Sequence, residues 1–387
     1  MKKISLLFFI FFISCNSLVT TFEDIEPAVK YSANNVSQLA DSTKSKITVM
    51  TWNIRFGAGR IDWFGDHCGD RVLLTESEIK SNLDQIIDKL NDPDINVDIL
   101  LLQEIDVDSK RSAYIDQVQY ILDNTHLNYG VFASMWQAQV IPSDGLGRVN
   151  TGNAILSRWK LDEPERIQLD LMTDQDALTQ YFYLRRNILK AKVEIPEIEP
   201  FYVVNTHLTA FATDSTKKKH VEKYISTLDE ILPNKFISGG DLNSLPPIVS
   251  GDSIPDFCIK DKCVGETFHN ETDGGPHKSG SYFEYDEFEN DWLQPLYDNY
   301  TPAIPLSQLY NDTLHFTHSP GTSLDLDRKL DYLFTNMNSM ENESQTMQQF
   351  KEISDHVPIL LILDLSPSEP APMLNKNKNL FLRGNIK

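Results

Sequence analysis

The chain has 387 residues, 41% of them hydrophobic and 10% aromatic, enough for one large α/β domain or two small ones with a sizeable buried core. Its 35 basic and 56 acidic residues leave a formal charge of -21, which argues against a broad, non-specific grip on duplex DNA as the main binding mode. Phosphate chemistry survives this exclusion, because divalent cations held in a carboxylate pocket reverse the local sign.

In chain order, Lys2 and Lys3 lead an apolar run from Ile4 to Ile13 that is too short to span a bilayer as a mature helix, so residues 1–15 read as a targeting segment. Ser14-Cys15 resembles the lipobox of bacterial lipoproteins, with Phe12 where that pattern usually has leucine. This reading makes Cys15 the lipidation site and the protein an exported lipoprotein of the bacterial outer membrane, cell surface or periplasm. The alternative is an ordinary secretory signal cleaved nearby. Cys68, Cys258 and Cys263 remain; the last two could close a small loop, and no spacing among them resembles a zinc site. Residues 16–46 are polar and read as a tether.

A single domain is expected over residues 47–365. Ile47 to Asn53 alternates like a strand, and Ile79, Leu83, Ile86, Ile87 and Leu90 predict a helix over Thr75 to Leu90. Val97 to Glu104 reads as a buried strand, Ser112 to Asp123 as a helix and Tyr129 to Trp136 as a strand. Gly145 to Arg148 forms a turn before a strand from Gly152 to Ser157. Strands follow at Leu184 to Ile195 and Phe201 to His207, then a helix at Thr213 to Leu232 and a strand ending in Gly239-Gly240-Asp241. The glycines there suit a sharp bend and close approach of a ligand. Ile248 to Asp312 is irregular and long enough to be functional. Strands return at Lys329 to Phe334 and Val357 to Leu363, and residues 366–387 form a poorly ordered tail.

Polar residues meet strand ends repeatedly. Asn53, Glu104, His207 and Asp241 each close a strand, and Asn243 follows two residues after the last. Asp355-His356 stands before its strand and Asp331 early in another; if these two strands run antiparallel to the rest, all eight residues share one sheet edge. Such an edge is the expected place for a site.

Trp52-Asn53, Gln103-Glu104, Asn205-Thr206-His207, Gly240-Asp241-Leu242-Asn243, Asp331-Tyr332 and Ser354-Asp355-His356-Val357-Pro358 resemble, in order, the motifs of the endonuclease/exonuclease/phosphatase superfamily. That superfamily holds deoxyribonuclease I, exonuclease III-type repair nucleases, neutral sphingomyelinases and inositol-polyphosphate 5-phosphatases. The resemblance implies an α/β fold, a four-layer sandwich of two face-to-face mixed sheets flanked by helices. It implies a metal region of Asn53, Glu104 and Asp355 for Mg²⁺ or Mn²⁺, whose preference for hard oxygen ligands suits Glu104. Asp241 becomes the residue that orients or deprotonates the attacking water, Asn243 a phosphate or transition-state contact, and His356 a phosphate donor or acid with Asp331 fixing its tautomer. His207 joins this catalytic set at a position where some relatives carry tyrosine. Arg148, Arg186 and Lys217 are further candidates for substrate phosphate. The expected activity is metal-dependent hydrolysis of a phosphodiester or phosphomonoester of unknown class, with no obligate protein partner and membrane attachment through the N-terminal anchor. A nuclease proper, a sphingomyelinase-like phospholipid hydrolase and a non-catalytic binding protein on the same scaffold are the alternatives.

Overall fold

A run such as Ile99-Leu100-Leu101-Leu102 presents apolar side chains on both faces of a strand, so it needs cover on two sides. The computed structural model, which describes residues 17–37, 43–65, 70–210, 212, 214–247, 291–309, 313–319, 324–326, 328–337 and 343–365, provides that cover with two seven-stranded sheets and outer helices. The strands are β1 (Ile25–Pro27), β2 (Val29–Ser32), β3 (Lys46–Asn53), β4 (Ile99–Asp106), β5 (Tyr129–Ile141), β6 (Gly147–Ser157) and β7 (Lys160–Gln168). They continue as β8 (Asn187–Glu194), β9 (Phe201–His207), β10 (Phe236–Asp241), β11 (Thr301–Pro302), β12 (Asp331–Thr335), β13 (Gln345–Thr346) and β14 (Ile359–Asp364). The helices that bear on the argument are α1 (Glu76–Leu90), α2 (Gln117–Asn124), α3 (Ala177–Phe182), α4 (Thr216–Ile231) and α5 (Gln294–Asn299). Among the described residues, no helix is long and apolar enough to cross a membrane.

The first sheet has the order β13-β14-β3-β4-β6-β5-β2 and the second β1-β7-β8-β9-β10-β12-β11. Both are mixed. β3 and β4 run parallel, as do β9 and β10, while β14 lies antiparallel to β3 and β12 antiparallel to β10. Period-two alternation sorts side chains into layers. Ile99 and Leu101 of β4, Val203 of β9 and Ile237 of β10 fill the space between the sheets. Leu100 and Leu102 turn outward onto Ile79, Leu83 and Ile86 of α1, and Val204 and Phe236 turn outward onto Val221, Tyr224 and Leu228 of α4. The result is the expected four layers.

Several sequence expectations need correction. Residues 16–46 are not a tether throughout, because β1 pairs with β7 and β2 with β5, one at an edge of each sheet. Val19 and Ala28 are buried there, so the few apolar residues of a polar stretch suffice to dock it. The helix expected from Ser112 begins only at Gln117, since Ala113 and Tyr114 take left-handed φ values of 55° and 60°. Arg148 lies within β6 and not in a turn. The strand β7 was unread, and Arg185-Arg186 precedes β8 instead of lying inside it. Cys15, Cys68, Cys258, Cys263, the tail and most of the irregular stretch from Ile248 lie outside the described residues; the part of that stretch described includes α5 and β11.

Candidate active site

The two parallel pairs carry their C-terminal ends to one edge of the sandwich. Asn53 ends β3 and Glu104 lies near the end of β4; His207 and Asp241 end β9 and β10. The antiparallel strands then do what the sequence reading required of them. Asp331 is the register partner of Asp241, and His356 precedes β14, whose Ile359 lies opposite Thr51.

Glu104 reaches the edge through a β-bulge. Leu102 pairs with Ala154 and the next pairing is Ile105 with Gly152, so Gln103 and Glu104 together oppose one residue of β6. Glu104 adopts a φ of 55°, a strained conformation for this residue type that re-aims its side chain. The glycines before Asp241 let the neighbouring strands approach closely. A Cβ on Gly239 would lie 2.1 Å from the Tyr332 carbonyl oxygen of β12, and one on Gly240, whose φ is +132°, would lie 1.9 Å from the Thr206 carbonyl oxygen of β9.

Asp241 is the centre of the cluster. Its Oδ2 accepts from Asn53 Nδ2 at 3.1 Å and lies 3.3 Å from His207 Nε2 and 3.6 Å from His356 Nε2. Its Oδ1 accepts from the Asn243 backbone N–H at 3.0 Å, and Asn243, at φ 47°, spends its own Nδ2 on the Leu208 carbonyl at 3.0 Å. Asn53 Nδ2 also donates to Glu104 Oε1 at 3.2 Å, so this amide ties the two sheets together. Behind His356, Asp331 Oδ2 lies 2.8 Å from Nδ1 and so sets which nitrogen faces Asp241. Trp52 Nε1 holds the His356 carbonyl at 3.0 Å, and Ser354 Oγ donates to the Asn53 carbonyl at 3.0 Å.

The electrostatics follow from burial among like and unlike charges. Desolvation pushes the Asp241 carboxyl up to about 7, with His356 opposing the rise and Asp331 adding to it. Burial alone would pull the His356 imidazolium down, but the carboxylates of Asp331 and Asp241 outweigh it and lift the group to about 10. His207 goes the other way: burial, then Arg186 and His356, drive it well below its ordinary value, and it stands neutral. Asp355 stays below the usual carboxylate range although burial works against it, because Arg55 and His356 face it.

Sequence reading missed Arg55. Its backbone N–H donates to Asn53 Oδ1 at 3.0 Å, its Nη1 to the Gly59 carbonyl at 2.8 Å, and its Nε lies 3.5 Å from Asp355 Oδ2. The available signal was a cation in the otherwise apolar run Ile54-Arg55-Phe56. Of the substrate-binding candidates, only Arg186 is brought to the cluster: its Nη1 donates to the His207 carbonyl at 3.1 Å, and the carboxylates of Glu104 and Asp241 favour its charged form against burial. Arg148 pairs with Asp108 on the surface at 3.2 Å, and Lys217 is buried in the first turn of α4, where it cannot recruit phosphate from solvent.

Among the described residues, His207 Nδ1, Arg186 Nε and Asp331 Oδ1 are buried at the cluster without a hydrogen-bond partner. Native folds rarely leave such groups together unless something else completes them. Glu104 and Asp355, with side chains 28% and 15% exposed, offer hard oxygens at the mouth, a donor set that fits a divalent cation. His356 groups with Asp241 and Asp331, and separately with His318 and Asp355, closely enough for either trio to hold an ion. Asn53 turns its Nδ2 to the carboxylates and its Oδ1 to Arg55, so as an oxygen ligand it would have to reverse its amide.

A sequence profile described as the Endonuclease/Exonuclease/phosphatase family matches residues 50–356. No curated protein sequence matches the chain. Among solved structures, an endonuclease/exonuclease/phosphatase from Beutenbergia cavernae aligns with a TM-score of 0.52 and 17% identity over 83% of this chain and 72% of that one, and it shows the same fold. An endonuclease/exonuclease/phosphatase from Bacteroides vulgatus aligns at TM-score 0.47 and 14% identity over 83% and 99% of the two chains. An AP endonuclease from Archaeoglobus fulgidus aligns at 0.46 and 14% over 82% and 99%.

Proposed function

Because this chain belongs to the endonuclease/exonuclease/phosphatase family, whose members are typically metal-dependent hydrolases of phosphoester bonds, we propose that it hydrolyses a phosphodiester or phosphomonoester by direct attack of water. The observation that carries this reading is the surrounding of Asp241 Oδ2 by Asn53 Nδ2, His207 Nε2 and His356 Nε2 at 3.1, 3.3 and 3.6 Å, with Glu104 at the mouth.

Asp241 takes the proton of the attacking water. A carboxyl raised to about 7 is well matched to that task near neutral pH, and the Asn53 amide fixes its orientation. His356, held cationic by Asp331 and Asp241, donates from Nε2 to a phosphate oxygen as charge develops there. Neutral His207 packs against Asp241 without adding a charge that would weaken the base. Arg186 offers its Nε to a second phosphate oxygen. Glu104 and Asp355 would hold Mg²⁺ or Mn²⁺, with Asn53 beside them. When bound, that cation supplies a positive charge that offsets the phosphate's own. The same proposal has the protein exported and anchored through a lipid on Cys15.

The test is a purified-protein screen with Mg²⁺ or Mn²⁺ against DNA, RNA, sphingomyelin, inositol phosphates and bis-p-nitrophenyl phosphate. Hydrolysis of at least one, abolished by EDTA and absent in Asp241→Asn, is expected. Failure to hydrolyse any in an EDTA-sensitive manner would return the chain to the non-catalytic binding alternative.

A further inference from the structure

The segment that opens the described chain straps one side of the sandwich. β1 adds to β7 at the edge of the second sheet and β2 to β5 at the edge of the first, with only Ala28 between them. The Ala28 N–H donates to the Pro164 carbonyl at 3.0 Å, so the crossing between the sheets is itself tied down. Between this strap and β5 lies a cavity of about 160 Å³, with Glu26, Val29, Val107, Phe132 and Arg166 in its wall. Val29, 55% exposed, marks its solvent side.

Arg166 is the unusual member of that wall. It lies in β7 opposite Glu26 and is 1% exposed. Its Nε donates to the Ser134 carbonyl at 2.9 Å and its Nη2 to the Arg185 carbonyl at 2.8 Å, and its Cζ lies 3.8 Å over the Phe22 ring. Those partners are all uncharged. Its Nη1, also buried, has no hydrogen-bond partner among the described residues. A buried guanidinium with a spare donor is costly, because charge and donor have both left water without full compensation. Burial pulls its pKa down to about 10, with Glu26 opposing the fall and Arg185 adding to it, so the group is still a cation at neutral pH.

Glu26 supplies the opposite charge without meeting it. Directly opposed residues of neighbouring strands share one face, with Cβ atoms about 4.5–5.5 Å apart. Among the described residues the two nevertheless make no ion pair: Arg166 reaches across to Ser134 of β5, and Glu26 Oε2 accepts from Glu23 N at 3.0 Å. The cavity therefore carries a cation and a carboxylate, held apart on an otherwise largely apolar wall. In a chain of formal charge -21, such a balanced pair favours a ligand that is neutral as a whole and bears both charges.

We propose that this cavity binds a free α-amino acid with a small apolar side chain, its carboxylate on Arg166 Nη1, its ammonium on Glu26 and its side chain against Val29, Val107 and Phe132. About 150 Å³ of protein interior holds a benzene-sized group, which sets the ligand between alanine and valine in size. A ligand that touches β1, β5 and β7 together fastens the strap across both sheets and so stabilises the folded chain. None of these residues belongs to the catalytic cluster, and binding here is independent of the hydrolase reading.

The test is calorimetric titration of the full chain with L-valine, N-acetyl-L-valine and L-valinamide. Valine is expected to bind with a submillimolar Kd, and each derivative, which lacks one of the two charges, about 10–100-fold more weakly. In Glu26→Gln, whose amide oxygen can still accept from Glu23 N, valine should bind about tenfold more weakly while N-acetylvaline binds as before. Arg166→Gln should abolish binding of valine. Because the Arg166 side chain also holds two carbonyls, the fold of that variant is checked by circular dichroism, and if it is lost the derivatives and Glu26→Gln decide the matter. No binding of valine at about 10 mM overturns the site. A derivative that binds as tightly as valine, or a Glu26→Gln variant that binds valine unchanged, overturns the zwitterionic ligand.

Discussion

The molecule contains the same unit twice, put to different use. β3, α1 and β4 form one strand–helix–strand crossover, and β9, α4 and β10 form the other, each a parallel pair with an antiparallel strand laid beside it. The first unit ends in Asn53 and Glu104, the second in His207 and Asp241. Exposure separates the two carboxylates: the Glu104 side chain is 28% exposed, that of Asp241 only 2%. Solvent access thus divides the labour. An oxygen that must meet a hydrated cation is kept at the mouth, and the carboxyl that must titrate near neutrality is sunk where desolvation can raise it.

If that division is right, the two carboxylates fail in different ways when changed. Asp241→Asn should lower turnover by about 10²–10⁴-fold, with no recovery at high metal concentration. Glu104→Gln should raise the Mg²⁺ or Mn²⁺ concentration needed for half-maximal activity by about 10–100-fold, and excess metal should restore much of the rate. Steady-state rates against metal concentration for both variants decide the matter. Rescue of Asp241→Asn by metal, with none for Glu104→Gln, would exchange the two roles.

Much of this comparison was legible in the residues. Runs such as Ile99 to Leu102 mark strands buried on both faces, and Asp355-His356 standing before its strand makes sense only if β14 is antiparallel, as it is. The illegible parts are those decided by the backbone or by distant partners. β1 is three residues long, Ile-Glu-Pro, and exists because its neighbour β7 offers an open edge. Nothing in Gln103-Glu104 announces a bulge. Arg55 has a φ of 47° and contacts Asp355, so neither periodicity nor local pairing could reveal it. Gly239 and Gly240 are legible as special positions, but that the neighbouring strands β9 and β12 crowd them is not.

The helix of the second unit carries a buried imidazole whose titration couples to folding. His220 of α4 is buried, its Nε2 lying 2.8 Å from the Asp170 carbonyl and its Nδ1 accepting from Thr209 N at 3.3 Å. Burial lowers it to about 4. Its folded pKa is below its unfolded one, so its contribution to stability is fully present above about pH 6.5 and is lost as the pH falls towards 4. Between pH 7.5 and pH 5 the loss is about 2 kcal/mol. Urea unfolding at both pH values should show His220→Asn losing less stability than the unsubstituted protein over that interval, by about this amount. Equal losses would mean that His220 does not titrate differently in the folded chain.

The smallest expected effect separates the two helices at their starts. Thr75 caps α1 through a reciprocal pair: its side chain accepts from Glu78 N, and Glu78 Oε2 accepts from Thr75 N at 2.8 Å. Ser215, at the corresponding position of α4, makes no side-chain cap bond, and Asp214 Oδ1 instead accepts from Thr216 N at 2.9 Å. Removing the hydroxyl should therefore cost about 1 kcal/mol in Thr75→Ala, while Ser215→Ala should change stability by less than about 0.5 kcal/mol. Asp214→Ala should fall nearer to Thr75→Ala, because Asp214 satisfies the first-turn donor that the serine leaves alone. Denaturant midpoints for the three variants test the ranking, and a Ser215→Ala loss as large as that of Thr75→Ala would show that the two units open their helices in the same way after all.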